Sequence, residues 1–246
     1  MILSHTLKLL RVALPVLALV CFGAGVARAQ KIDKSKLDVA ERRSAKAVKV
    51  LTDLAALPPA ETIPKEIIER ARGIAVFPDA DKVNLLFQKL LKGSGLLSKR
   101  TTDGWTVPAF YAFLASDRGW TRIKSDSPGI IMLFMDDDIL KDLEDGHIEL
   151  KGNAGPVGEL TPEQEKYIGK AAILVYSLSK GKLSGIGIEQ DDTTQTGMNT
   201  DKNLNKSIYG MKARDLLQGK TLANTTALPP AIAEFQNALT ALLPKP

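Results

Sequence analysis

Gly73-Ile74-Ala75-Val76-Phe77-Pro78 is where the chain changes texture. Before it, apolar residues recur at helical spacing. From it onward, short apolar runs alternate with Gly, Pro, Asn and Asp, at residues 74–77, 95–99, 104–110, 130–135, 148–150, 171–177 and 183–189. Runs of that length, bounded by turn formers, read as strands of a mostly antiparallel sheet or a barrel-like β core. Residues 83–95, Val83-Asn84-Leu85-Leu86-Phe87-Gln88-Lys89-Leu90-Leu91-Lys92-Gly93-Ser94-Gly95, fit a strand or an amphipathic helix, because dense leucine satisfies both periods.

Helices flank and interrupt this core. Residues 31–57 place Leu37, Ala40, Ser44, Ala47, Val48, Leu51, Leu54 and Ala55 on one face at the helical step, and Arg42, Lys46 and Lys49 on another. Pro58-Pro59 ends that helix, since proline supplies no backbone donor and disfavours helical geometry in the residue before it. A short helix is expected at 64–72. Asp136-Asp137-Asp138 offers capping acceptors to a helix at 139–145, which Gly146 terminates. Thr161-Pro162-Glu163-Gln164 has the spacing of a capping box with proline at the first helical position. Residues 191–207 read as a long polar stretch, 211–218 as a helix stopped by Gly219, and Pro229-Pro230 as the entry to a last helix carrying Ile232, Phe235, Leu239 and Leu242.

The start of the chain has the three parts of a cleavable secretory signal. Lys8 and Arg11 form a positive flank, residues 12–26 are apolar, and Ala27-Arg28-Ala29 supplies small residues for cleavage before Gln30. The apolar run holds Pro15 and falls short of the about 20 residues a membrane span needs. Lipoprotein processing at Cys21, the only cysteine, is disfavoured by Val20 in the preceding position. Removing 29 of 246 residues leaves 217, enough for one domain with a real core and without any disulfide to brace it. Lys8, Arg11 and Arg28 leave with the leader, which lowers the formal charge from +5 to +2. Global charge therefore does not indicate a nucleic-acid partner, and attraction to acidic surfaces must come from local clusters.

Residues able to carry catalysis are sparse. Beyond the leader, His147 is the only histidine, so an ordinary zinc site cannot be assembled. Its place after Gly146 suits a turn better than acid–base work. Asp136-Asp137-Asp138 and Asp191-Asp192 lack the alternating spacing of a calcium loop. Gly185-Ile186-Gly187 lacks the third glycine and the Lys-Ser/Thr pair of a phosphate loop, and is better explained by close backbone approach. These observations predict no enzyme, no metal and no cofactor. What remains is clustered positive charge: Arg42, Lys46 and Lys49 on the first helix, and Lys89, Lys92, Lys99 and Arg100 around the second strand region. A basic amphipathic helix is suited to an anionic membrane surface. The plainer reading is a solvated face on a helix that packs its apolar stripe against its own domain.

Several stretches resemble the SYLF domain family in order. They are Gly73-Ile74-Ala75-Val76-Phe77-Pro78, Gly104-Trp105-Thr106-Val107-Pro108-Ala109-Phe110, the strand at 130–135 with Leu140 and Leu143, and Gly155-Pro156-Val157-Gly158. The most specific is Tyr176-Ser177-x-Ser179-Lys180-Gly181-x-Leu183-x-Gly185, and Asn205 with Tyr209-Gly210 is similar to the closing element. Residues 83–95 and those after Gly119 depart from the family in lacking its usual glycines. The resemblance implies binding of acidic lipid head groups, and some relatives are associated with actin.

The sequence thus predicts an α+β chain with amphipathic helices at both ends. Its parts are a signal peptide (1–29), an N-terminal helix and linker (30–64) and a SYLF-like domain (65–246). The expected function is that of a periplasmic or secreted protein, peripheral on a membrane, that engages anionic phospholipid through Arg42, Lys46, Lys49, Lys89, Lys92, Lys99 and Arg100. The alternative is a non-catalytic structural or interaction module with an envelope protein partner.

Overall fold

The computed structural model describes residues 33–85, 88–116, 128–144, 146–188, 197–222 and 228–242. The leader expected at 1–29, Asp191-Asp192 and the segment after Gly119 lie outside the described residues.

Helix α1 (Lys34–Ala55) opens on Asp33, whose carboxylate accepts the Ser35 N–H at 2.9 Å. Its buried stripe is Ala40, Ser44, Ala47, Val50, Leu51 and Leu54. Three of these six are small, so the helix backbone lies close to its neighbours. The stripe packs on the C-terminal helix α7 (Pro230–Leu242) and on the sheet. The contact is also polar: Glu41 accepts the Ala231 N–H at 3.2 Å and so satisfies a backbone donor in the first turn of α7. The plainer reading of the apolar stripe, that it packs the helix on its own domain, is what the structure shows.

After Pro58-Pro59 and the short helix α2 (Lys65–Arg70) come eleven strands among the described residues. They are β1 (Gly73–Phe77), β2 (Ala80–Leu85), β3 (Gln88–Thr101), β4 (Gly104–Trp105), β5 (Ala109–Ser116), β6 (Gly129–Phe134), β7 (His147–Glu149), β8 (Asn153–Ala154), β9 (Ile173–Ser179), β10 (Lys182–Gly185) and β11 (Gly197–Thr200). The main path runs β10-β9-β6-β1-β3-β5-β11-β7, with every neighbouring pair antiparallel. One parallel pair, Asn153↔Leu174 and Ala154↔Val175, makes the sheet mixed. The fold is α+β, built on a curled sheet that forms a half-barrel. β1 and β6 are buried at every residue, which requires cover on both faces and explains their unbroken apolar sequence.

The described residues of the segment at 83–95, which are 83–85 and 88–95, are strand. Leu85 pairs with Gln88, so β2 and β3 form a hairpin, and β3 continues to Thr101 along β1 and β5. Gly95 of β3 sits where the strand passes closest to β1. A β-carbon there would sit 2.0 Å from the Val76 carbonyl oxygen, so only glycine lets β3 cross this close to the end of β1. The same logic holds at Gly185, where a β-carbon would lie 1.9 Å from the Gly155 carbonyl oxygen. The glycines of 185–187 mark a backbone crossing, not a phosphate loop. The run at 104–110 divides into β4 and β5, because Pro108 falls between them and offers no ladder donor.

The remaining helices follow their local signals. α3 (Asp137–Glu144) begins with the Asp138 N–H bonded to Asp136 Oδ1, and α4 (Pro162–Ile168) carries the complete Thr161–Gln164 capping box. The polar stretch at 191–207 contains β11 and α5 (Lys202–Tyr209), which its composition conceals. α6 (Ala213–Leu217) ends before Gly219, at φ +70°.

Asn205 and Tyr209 of α5 lock β5 in place. The buried Asn205 side chain accepts the Phe110 N–H at 2.8 Å and donates to the Phe110 carbonyl at 3.0 Å, beside the Asp201 N–H that the same carbonyl accepts at 2.9 Å. Tyr209 donates to the Pro108 carbonyl at 2.7 Å and stacks on Phe110. Burial raises its phenol pKa well above the usual value, which keeps it a donor. Trp105 is only part-buried, with the Arg100 guanidinium 4.7 Å from its ring centroid. Trp105→Ala is therefore expected to cost about 2 kcal/mol, below the 3–5 kcal/mol of a fully buried aromatic. Urea unfolding measures this.

Candidate functional site

The predicted cations divide into two groups, and partners far away in sequence decide which is which. At one end of β3, Lys99 is ion-paired to Glu144 at 3.2 Å with both side chains largely covered. Beside it, Arg100 donates from Nε to the Ala71 carbonyl at 2.9 Å and from an Nη to the Ile68 carbonyl at 3.0 Å. These are carbonyls at the end of α2, so Arg100 acts as a C-terminal cap. Burial lowers its pKa, with the neighbouring Arg72 adding to the shift. Both residues brace the fold.

At the other end, α1 faces the hairpin across an open cleft of about 500 Å³. Arg42, Arg43 and Lys46 of α1 line one wall, and Lys92, Gly93 and Ser94 of β3 with Ala112 and Phe113 of β5 line the other. Pro78, Asp79 and Asp81 close it at the turn from β1 into β2. Alternation along β3 produces this wall: Leu91, Gly93 and Gly95 are buried, while Lys92 and Ser94 are exposed. Arg43 is anchored, paired with Asp201 at 3.2 Å and 5.6 Å from the Phe110 ring centroid. Lys46 pairs with Asp79 at 2.5 Å. Arg42 and Lys92 are exposed and have no ion-pair or hydrogen-bond partner among the described residues. Directly across from Lys92 on β5 is Leu114, 43% exposed, so an apolar side chain flanks the free ammonium.

Of the seven predicted residues, Arg42, Lys46 and Lys92 meet in this cleft. Lys49 lies outside its lining, paired with Asp53 one turn along α1 at 2.8 Å, an exposed pairing of the weak surface kind. Lys89 belongs to β3, and its side chain is not among those described. The sequence reading missed Asp79 and Asp81 as parts of the cleft. Their only signal was the register that sets Asp81 opposite Lys92, legible once the hairpin is known.

His147 is exposed at the start of β7, its Nδ1 2.9 Å from Asn199 Oδ1. It borders a second cleft of about 640 Å³, lined by Asp142, Glu149, Lys151 and Lys170 among others. Among the described residues, no group of three or more His, Cys, Asp or Glu side chains is placed to hold a metal ion.

The family model described as Ysc84, Las17-binding protein actin regulator, matches residues 125–242. Residues 125–242 are thus similar to the Ysc84, or SYLF, domain family that the sequence motifs resemble. The family is known for lipid-binding or actin-regulatory roles. None of the curated proteins and none of the solved structures compared with the chain matches it. The matched stretch runs from the approach to β6 through α7, and so contains the SYLF elements Tyr176, Asn205 and Tyr209. α1 and the β2–β3 hairpin precede it, and the SYLF-matched part contributes Asp201, which orients Arg43 at the cleft.

Proposed function

We propose that this protein is an exported, non-catalytic binding protein that engages anionic phospholipid at an envelope membrane through the cleft between α1 and the hairpin. The observation that carries this reading is the meeting of Arg42 and Lys92, from separate elements, as two unpaired cations beside the exposed Leu114. Cations with nearby apolar surface suit the boundary between head groups and acyl chains. The lipid-binding role of the SYLF family supports the same class of ligand. Export rests on the signal pattern at 1–29.

A second reading, a protein-interaction module, is favoured by the family description, which names a Las17-binding actin regulator.

Sedimentation with vesicles separates the two. The chain without its leader is expected to pellet with phosphatidylcholine vesicles that contain phosphatidylglycerol, to stay in solution with phosphatidylcholine alone, and to dissociate as salt is raised, since salt screens exposed charge. Absence of binding to both vesicle types would favour the interaction module.

A further inference from the structure

A basic amphipathic helix holds a membrane by burying its apolar side in it, and α1 has no apolar side to spare. Its buried stripe packs on α7 and the sheet, and Leu37, Val39 and Val48 pack against the same core. What α1 brings to the cleft is charge, in Arg42 and Lys46. The apolar surface beside that charge belongs to the sheet.

Side chains alternate between the two faces along β3 and β5. Leu91 and Phe113 point into the core and are buried. The opposite face carries Leu90 and Lys92 of β3 and Leu114 of β5. Leu114 is directly across from Lys92, while Leu90, two residues back along β3, is diagonal to Leu114 and directly across from Val83 of β2. Leu114 is exposed, and Leu90 and Val83 are half-buried. On its other side Leu114 meets Gly197 of β11, which has no side chain to cover it. Cross-strand and diagonal neighbours are within reach of one another, so Val83, Leu90 and Leu114 form one apolar patch. Lys92 stands at its border, and Arg42 faces Lys92 across the cleft. Asp81, opposite Lys92, and Glu149, beyond Gly197, each have an interaction of their own.

We infer that the protein lies on the membrane by this face of β2, β3 and β5: Leu114, Leu90 and Val83 enter the acyl boundary, while α1 stays docked on its own domain and Arg42 and Lys92 hold the head groups. The inference rests on the lipid reading above and names the surface that does the binding. A bilayer presents anionic head groups beside acyl chains, the same juxtaposition as the two cations and the patch they border. Leu114, the most exposed of the three, goes deepest.

Beyond the leader the chain has no cysteine, so single cysteines introduced there report alone. Leu114→Cys carrying a nitrobenzoxadiazole dye is expected to shift its emission to the blue on phosphatidylcholine vesicles that contain phosphatidylglycerol. Ser44→Cys places a thiol at a fully buried position of α1, where the native hydroxyl has no hydrogen-bond partner among the described residues. That thiol is expected to stay protected from maleimide while the protein is on the vesicles. Leu114→Ser, its fold checked by circular dichroism, is expected to bind about fivefold more weakly, because only the exposed part of the leucine is newly buried at the membrane. A protein that pellets while the dye at position 114 stays in water, while the thiol at position 44 becomes reactive, or while Leu114→Ser binds as wild type, would overturn the inference and leave lipid binding in place. A blue shift that needs no vesicles and grows with protein concentration would overturn it in favour of a second copy on this face. A protein that pellets with no vesicles would overturn the lipid reading, and this inference with it.

Discussion

Asn205→Ala is expected to destabilise the fold by about 3 kcal/mol. The truncation leaves the buried Phe110 N–H without its partner, while the Phe110 carbonyl keeps the Asp201 N–H at 2.9 Å, and an orphaned buried polar group costs roughly 1–3 kcal/mol. A small void in the α5–β5 contact adds to this. Asn205→Asp keeps an acceptor for the N–H but turns a carboxylate oxygen toward the Phe110 carbonyl, so it is expected to fall well short of wild-type stability. The midpoint of urea unfolding reports both variants. A midpoint for Asn205→Ala close to wild type would show that β5 is held without this clamp.

Asn205 also illustrates what could be read in advance. Its position was legible as part of a family pattern, but its work depends on a residue 95 positions away. Elements whose signals are local were read correctly: the Thr161–Gln164 capping box, the stop at Pro58-Pro59, and the stripe Ile232, Phe235 and Leu239 of α7. Segment 83–95 is ambiguous in sequence because the pairs Leu85-Leu86 and Leu90-Leu91 are compatible with either period, and pairing with β5 on its far side makes β3 a strand. β11 and α5 were hidden because Asn199, Thr200, Lys202 and Asn203 read as loop, while their burial comes from tertiary contacts of Met198, Leu204 and Ile208.

The same distinction governs the site. The sequence marks cations by residue type, but whether each is free depends on distant carboxylates. Lys46 meets Asp79 from 33 positions away, Lys99 meets Glu144 from 45, and Arg43 meets Asp201 from 158. Charge clustering along the chain therefore does not separate Lys49, which pairs within its own helix, from Arg42 and Lys92, which have no such partner among the described residues. Arg100 shows the other outcome. A cation can be spent wholly on structure, here on the last carbonyls of α2 and the face of Trp105.

Lipid affinity is expected to reside in the two unpaired cations of the α1–hairpin cleft. Each basic group near an acidic surface contributes about 1 kcal/mol. Reversing Arg42 and Lys92 together removes two such attractions and adds two repulsions, an effect of about 4 kcal/mol or a thousandfold loss of affinity. Lys49→Glu, which alters the same total charge on α1 outside the cleft, is expected to change affinity little. The decisive measurement is sedimentation with phosphatidylglycerol-containing vesicles of wild type, Lys49→Glu and the Arg42→Glu/Lys92→Glu double variant, each confirmed folded by circular dichroism. Only the double variant is expected to stay in solution. A folded double variant that pellets with the vesicles as readily as wild type would contradict this.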